Sequence, residues 1–239
     1  MRFPRILSFG RTGDELLDVF ALRPASLKGL RVLDCPGGPG SLSSALRRHG
    51  ARATAVDPGY ALPPGELERC TLRDIAAVAE QISGDEIFRA DFDQRQYLAA
   101  KVQAFQQFTE DRAVHPGEYV AASLPKLPFA DQSFDLVLSS SLLFSYSPVA
   151  DGGLLEGDGL DLEWHRRALA ELMRVTAGEL RVYPAHTQHG SRAVLHPYVK
   201  PLLDTVGPGW RSGLFQSCCD QGLRGDTVGL LLRRAAVNR

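Results

Sequence analysis

The stretch Val32-Leu33-Asp34-Cys35-Pro36-Gly37-Gly38-Pro39-Gly40-Ser41 decides how this 239-residue chain is read. An apolar run (Leu30, Val32, Leu33) ends in an acid, a Gly/Pro turn follows, and Leu42 to His49 continues with helical spacing. That order predicts strand, tight loop and helix, the start of a β-α-β unit. Glycines in the loop let backbone approach a ligand closely, and the helix start offers N–H groups with no partner inside the helix. Ala53-Thr54-Ala55-Val56-Asp57 then predicts a second short strand closed by an acid. That acid falls roughly 20 residues on, where a Rossmann-type sheet holds a ribose. A nucleoside-bearing ligand is expected between the two strand tips.

A dinucleotide would call for G-x-G-x-x-G, so that its pyrophosphate sits on the helix N-terminus. The chain instead places Asp34 ahead of Gly38, Pro39 and Gly40. This resembles the first motif of the class I S-adenosylmethionine (SAM)-dependent methyltransferases, D-x-G-x-G-x-G. SAM has no phosphate to neutralise, so close backbone approach suffices. Pro36 stands where the family has its first glycine; proline fixes φ and carries no N–H, so a contact there comes from a carbonyl or from shape. A second resemblance lies at Leu127-Pro128-Phe129 and Ser133-Phe134-Asp135-Leu136-Val137, similar to the phrase that leads these enzymes into their fourth strand. A third is the run from Glu171 to Val175, similar to the family's helix before strand five. The phrases at Asp34 to Ser41, Asp57 to Tyr60 and Leu142 to His165 are similar to those of a bacterial branch of the superfamily. That likeness implies a fold and a cofactor, and no particular acceptor.

The rest of the chain is read in the same way. Asp14 to Leu22 predicts a short helix inside an N-terminal segment, 1–29. A helical insertion, 60–117, follows the second strand, with one helix presenting Leu72, Ile75, Ala79 and Ile82. Gly84 separates it from another presenting Leu98, Val102, Phe105 and Phe108 or Thr109. Apolar residues at that spacing define one helical face. One helix covers the sheet and the other walls a pocket, forms a lid or meets a second subunit. Phe92, Tyr97, Phe105 and Phe108 line an acceptor pocket or simply fill core. Strands follow at Glu118 to Ser123, Leu136 to Leu138 and Glu179 to Pro184, with helices at Asp161 to Thr176 and His196 to Val206. A closing antiparallel pair is expected at Leu214 to Ser217 and Thr227 to Leu232. Pro148 to Gly159, glycine-rich and acidic, is expected as a mobile loop at the site's mouth or a solvated surface loop. The expected fold is α/β: a Rossmann-like doubly wound seven-stranded sheet with a terminal antiparallel hairpin and a helical insertion after strand two. The expected organisation is a single domain over 1–239.

Composition bounds the function. A net charge of -1 gives no electrostatic pull toward nucleic acid or anionic membrane. No apolar run reaches the ~18 residues of a membrane span. The four cysteines, Cys218 and Cys219 adjacent and no C-x-x-C, do not read as a disulfide framework, and a cytoplasmic protein is expected. There is no Asn/Asp-Pro-Pro-aromatic run after the fourth strand, where Ser139-Ser140-Ser141-Leu142 stands instead. By elimination the acceptor is a small molecule. No metal is expected, and the protein is a monomer or homodimer.

The resemblance implies specific contacts. Arg11 pairs with the SAM carboxylate or is a solvated arginine. Asp34, Cys35, Pro36, Gly37, Gly38 and Gly40 form the cofactor loop, Asp57 and Pro58 meet the ribose, and Ser123 and Leu124 meet the adenine. In the family an acid usually precedes that apolar contact, and Ser123 is a weaker acceptor. Ser139 and Ser140 line the methionine portion, with Phe144 and Tyr146 toward the acceptor. His165 and Tyr146 are the candidate bases. Asp161 and His165 are four apart on a helix, where a carboxylate reaches an imidazole; a buried histidine satisfied by its helix neighbour is the other reading. Two further hypotheses stand beside a methyltransferase: a SAM-binding protein with little or no catalysis, and a nicotinamide oxidoreductase, which the loop spacing disfavours.

Overall fold

The computed structural model describes residues 1–82, 85–157 and 159–235; Gly84, read above as a helix break, and Asp158 of the acidic loop lie outside them. Seven strands form one sheet in the order β3-β2-β1-β4-β5-β7-β6. The strands are β1 (Arg31–Asp34), β2 (Arg52–Val56), β3 (Tyr119–Val120), β4 (Phe134–Ser140), β5 (Thr176–Tyr183), β6 (Trp210–Gln216) and β7 (Val228–Arg234). The first five run parallel, and β7 returns antiparallel between β5 and β6. The chain winds outward through β1, β2 and β3, then crosses back to pair β4 with β1. Asp34 sits opposite Ala55 on one side and Leu138 on the other. Ligands bind outside the carboxyl ends of the strands at such a reversal.

The central strands read as near-continuous apolar runs because helices cover both faces. Val32, Leu33, Val137, Leu138, Leu180 and Val182 are all inaccessible to solvent. On one face α1 (Gly13–Val19) and α2 (Leu42–Arg48) bury Leu16, Val19, Phe20, Leu42 and Leu46 against Val32, Ala53 and Leu138. On the other face α5 (Leu162–Val175) lays Ala168, Leu169, Leu172 and Val175 on Leu33, Val137 and Leu180, joined by Val199 and Leu202 of α6 (Val199–Leu203). Asp161 caps α5 by accepting from the Trp164 N–H at 2.7 Å. Arg47 and Arg48 close α2 where cations suit the helix dipole.

The insertion holds α3 (Pro64–Ile82) and α4 (Gln94–Val114). Their buried faces differ from the pattern expected from sequence. On α3 the inward residues are Leu67, Thr71, Asp74, Ile75, Val78 and Ile82, while Leu72 is exposed. On α4 they are Lys101, Ala104 and Phe108, while Val102 is exposed. Each inward face contains a charged residue, so apolar spacing alone misplaced it. Helix α4 packs Phe105 and Phe108 around Tyr60 and Tyr119, and these are core. Phe92 joins a cluster with Phe3, Leu7, Val78 and Tyr146.

The acidic stretch after β4 is a clasp. Leu154 and Leu155 are buried, and this segment brackets Phe3, whose N–H donates to Leu154 O while Glu156 N–H donates to Phe3 O, both at 2.8 Å.

Candidate functional site

A cavity of about 520 Å³ opens at the carboxyl ends of β1, β2 and β4. One end is backbone. Cys35, Pro36, Gly37, Gly38, Pro39 and Gly40 turn here from β1 into α2, and the Gly37 N–H donates to Val56 O at 2.8 Å, tying the turn to β2. A Cβ at Gly37 would lie 2.5 Å from Tyr60 Oη and 2.9 Å from the Ala55 methyl, so only glycine fits. Gly38 has φ +51; its N–H donates to Asp57 Oδ2 at 3.2 Å, and its carbonyl accepts from Tyr60 Oη at 2.8 Å. Asp57 also accepts from the Gly59 N–H at 2.7 Å, which fixes its carboxylate at the cavity edge. Burial raises the Asp57 pKa above the ordinary carboxylate value, and those two N–H groups oppose the rise.

Asp34 stands beneath this turn and does not line the cavity. It is 2% exposed, and burial beside Asp57 pushes its pKa up to about 8. Near neutral pH its carboxyl therefore carries a proton, and its place is under the loop, with Oδ2 3.4 Å from where a Gly37 Cβ would stand.

The residues expected at the cofactor gather as follows. Arg11, Cys35, Pro36, Gly37, Gly38, Gly40, Asp57, Pro58, Ser123, Leu124 and Ser140 all line this cavity. Ser139 does not: it is fully buried, and its hydroxyl has no hydrogen-bond partner among the described residues. Successive side chains of a strand point to opposite faces, so Ser140 faces the cavity instead, and Ser141, past the strand's end with φ +57, lines it too. Arg11 is neither solvated nor free: its guanidinium pairs with Glu15, which Lys101 Nζ approaches at 3.4 Å. Lys101 is 1% exposed and lies 4.3 Å from the Tyr97 ring centre. Burial and the neighbouring Arg11 lower its pKa to about 7.

The candidate bases separate. Tyr146 lines the cavity, yet its hydroxyl is engaged by the strap running from Phe3 to Arg11: it accepts from the Leu7 N–H at 3.1 Å and donates to Leu7 O at 3.4 Å. His165 does not reach the cavity. Its Nε2 accepts from the Phe144 N–H at 2.8 Å, so Nδ1 carries the proton and donates to the Asp161 carbonyl, also at 2.8 Å. The Asp161 carboxylate is spent on the helix cap and does not orient the imidazole. Burial lowers the His165 pKa, so the ring sits neutral as a pin between α5 and the loop after β4. Phe144 is likewise fully buried core. Among the described residues, no group of three or more His, Cys, Asp or Glu is arranged to hold a metal ion.

Several residues in or behind the cavity wall were not anticipated. Tyr60 holds the glycine turn, and its only trace in the sequence is its place three residues after Asp57. Asp74 and Lys101 sit within helical apolar faces, and a charge at a core position is the signal that marks them. The strap leaves no periodic trace, being extended chain fastened by Tyr146, Asp74 and the clasp.

The methyltransferase domain family matches residues 73–179. The uncharacterised protein MJ0045 of Methanocaldococcus jannaschii is 22% identical over 191 residues, 77% of this chain and 80% of that protein. Among solved structures, magnesium protoporphyrin IX methyltransferase from Synechocystis PCC 6803 with bound S-adenosylhomocysteine (SAH) is 16% identical. It covers 93% of this chain and 84% of its own, with a TM-score of 0.50. A Burkholderia thailandensis 1,6-didemethyltoxoflavin-N1-methyltransferase is 17% identical, covering 93% of this chain and 82% of its own, with a TM-score of 0.48. The family match spans under half of the chain; what the whole chain shares with these structures is the fold, the Rossmann-like seven-stranded α/β sheet of the class I SAM-dependent methyltransferases. No helix among the described residues is long and apolar enough to cross a membrane.

Proposed function

We propose that this protein is a SAM-dependent methyltransferase that acts on a small-molecule acceptor, as a single cytoplasmic domain that works without nucleic acid. The observation that carries the reading is the cavity's backbone end. A glycine turn that leaves no room for a side chain at Gly37 faces a carboxylate, Asp57, which still has acceptor capacity. Each carboxylate oxygen takes one N–H and keeps a lone pair for a ribose hydroxyl. Ser123 and Leu124 would border the adenine, Gly38, Gly40 and Ser140 the amino-acid portion. Arg11, paired with Glu15, would border the cofactor's carboxylate.

When bound, SAM supplies a methyl group on a positively charged sulfur. The chain's part is to align the acceptor with that methyl and to keep water out, and alignment alone is worth several kcal/mol. The strap does the second: Leu7 is held by Tyr146 and Ser8 by Asp74, across the cavity. Among the lining residues Tyr146 has its hydroxyl committed and its pKa raised by burial, so it positions the strap and is not a free base.

Calorimetric titration with SAM, SAH and NAD tests the cofactor. SAM and SAH are expected to bind at one site and NAD not at all, whereas binding of NAD alone would return the chain to the oxidoreductase reading. Incubation with methyl-labelled SAM and a small-molecule extract tests catalysis. Label is expected in a low-mass product, and binding without any transfer would leave a SAM-binding protein.

A further inference from the structure

Away from the glycine turn, the cavity is walled by α3 and the strap. Cys70, Arg73, Asp74 and Val78 fall on successive turns of α3, and Arg5, Leu7, Ser8 and Phe9 come from the strap. These two walls meet at Asp74, whose carboxylate is 1% exposed. Arg5 forks onto both its oxygens, Arg73 Nε donates to Oδ1 at 3.2 Å, and the Ser8 N–H donates to Oδ2 at 2.8 Å. Two guanidiniums thus share one carboxylate. The other charged lining groups are matched or distant. The Met1 ammonium pairs with Asp85, Arg11 pairs with Glu15, and Asp57 belongs to the glycine turn. This end of the cavity therefore carries a surplus of one positive charge. Arg73 uses only Nε on protein, leaving both terminal nitrogens without a protein partner among the described residues.

Resting on the methyl-transfer reading of this same cavity, we propose that the acceptor is a small apolar molecule bearing one carboxylate, bound through the terminal nitrogens of Arg73 at the cavity's edge. Phe9, Leu142 and Tyr146 offer apolar surface to its body. A cationic amine would meet like charge, which costs more beside low-dielectric walls than in water. A neutral molecule would leave the surplus charge to water alone. A carboxylate matches both the single charge and the planar fork of a guanidinium, whereas a phosphate dianion would overshoot the charge by one.

The test uses the full chain in two stages. SAH affinity is measured first and reads the cofactor assignment alone. SAH-loaded protein is then titrated with octanoate, phenylacetate and indole-3-acetate, each beside its alcohol and its amine, and with phenyl phosphate. At least one carboxylate is expected to bind tenfold or more tightly than its matched alcohol and amine, and more tightly than phenyl phosphate. Arg73→Gln, at a side chain 61% exposed and therefore safe for folding, should abolish that preference while leaving SAH affinity unchanged, and Arg73→Lys should restore part of it. Equal affinity for carboxylates and alcohols, tighter binding of the amines or phosphate, or no carboxylate binding at all to SAH-loaded protein would overturn the proposal. Loss of SAH binding itself would strike the methyltransferase reading instead.

Discussion

The two ends of the cavity are built by different means. The glycine-turn end is made of main chain on a parallel sheet: Gly37 donates to β2, Gly38 to Asp57, and a protonated Asp34 lies beneath. The other end is made of side chains on elements outside the sheet, α3 and the strap, stitched by Asp74, Tyr146 and the clasp around Phe3. A main-chain cradle cannot be altered one side chain at a time, whereas an Arg–Asp–Arg stitch can. The difference fits a shared cofactor at one end and an acceptor particular to this protein at the other.

The sharpest way to break this contrast is to place a side chain where backbone meets backbone. Gly10 packs against Gly40, and a Cβ there would overlap the Gly40 main chain. Gly10→Ala is expected to cost about 3 kcal/mol, the upper part of the usual overpacking range, and to abolish SAH binding. Denaturant melts and calorimetry check both, and a variant with native stability would show that the cradle yields.

Next in size is the buried acid. The folded-state pKa of Asp34, about 8, lies above that of a free carboxylate, so the folded chain holds a proton the unfolded chain releases. The stability this confers is complete below about pH 4 and is lost as pH rises toward 8. The slope is on the order of 1.4 kcal/mol per pH unit. Asp34→Asn should flatten that slope, read as urea midpoints at pH 6 and 8; an unchanged slope would place the titration elsewhere.

His165 sharpens the comparison from outside the cavity. His165→Ala leaves the Phe144 N–H unpartnered in the core and is expected to cost about 2 kcal/mol, mostly from that unmet donor, with SAH affinity kept. Weakened SAH binding in a fully folded variant would contradict its role as a pin. The smallest effect belongs to Tyr146→Phe. It should lower stability by about 1 kcal/mol by freeing the strap at Leu7, seen as faster amide exchange at Leu7.

The contrast also explains what could be read from sequence. Short apolar runs and helical spacing, with glycine punctuation, located β1, α2, β2 and the closing pair because those elements bury apolar side chains in a common core. The glycine turn and Asp57 were legible because backbone geometry restricts the residue types that serve there. Ser139 was misplaced by one residue, which on a strand turns a side chain to the opposite face. His165 looked like a base because its spacing from Asp161 is the same whether the carboxylate or the carbonyl takes the bond. The Arg5–Asp74–Arg73 stitch joins residues about 70 positions apart, and no local pattern announces such a contact.

The most direct measurement is the SAH dissociation constant of the wild-type chain beside that of Asp57→Ala. A carboxylate that accepts hydrogen bonds from a ribose contributes about 1.5–3 kcal/mol, so the variant should bind at least tenfold more weakly while remaining folded. Equal affinities, or no binding of SAH by the wild-type chain, would contradict a nucleoside held between the tips of β1 and β2.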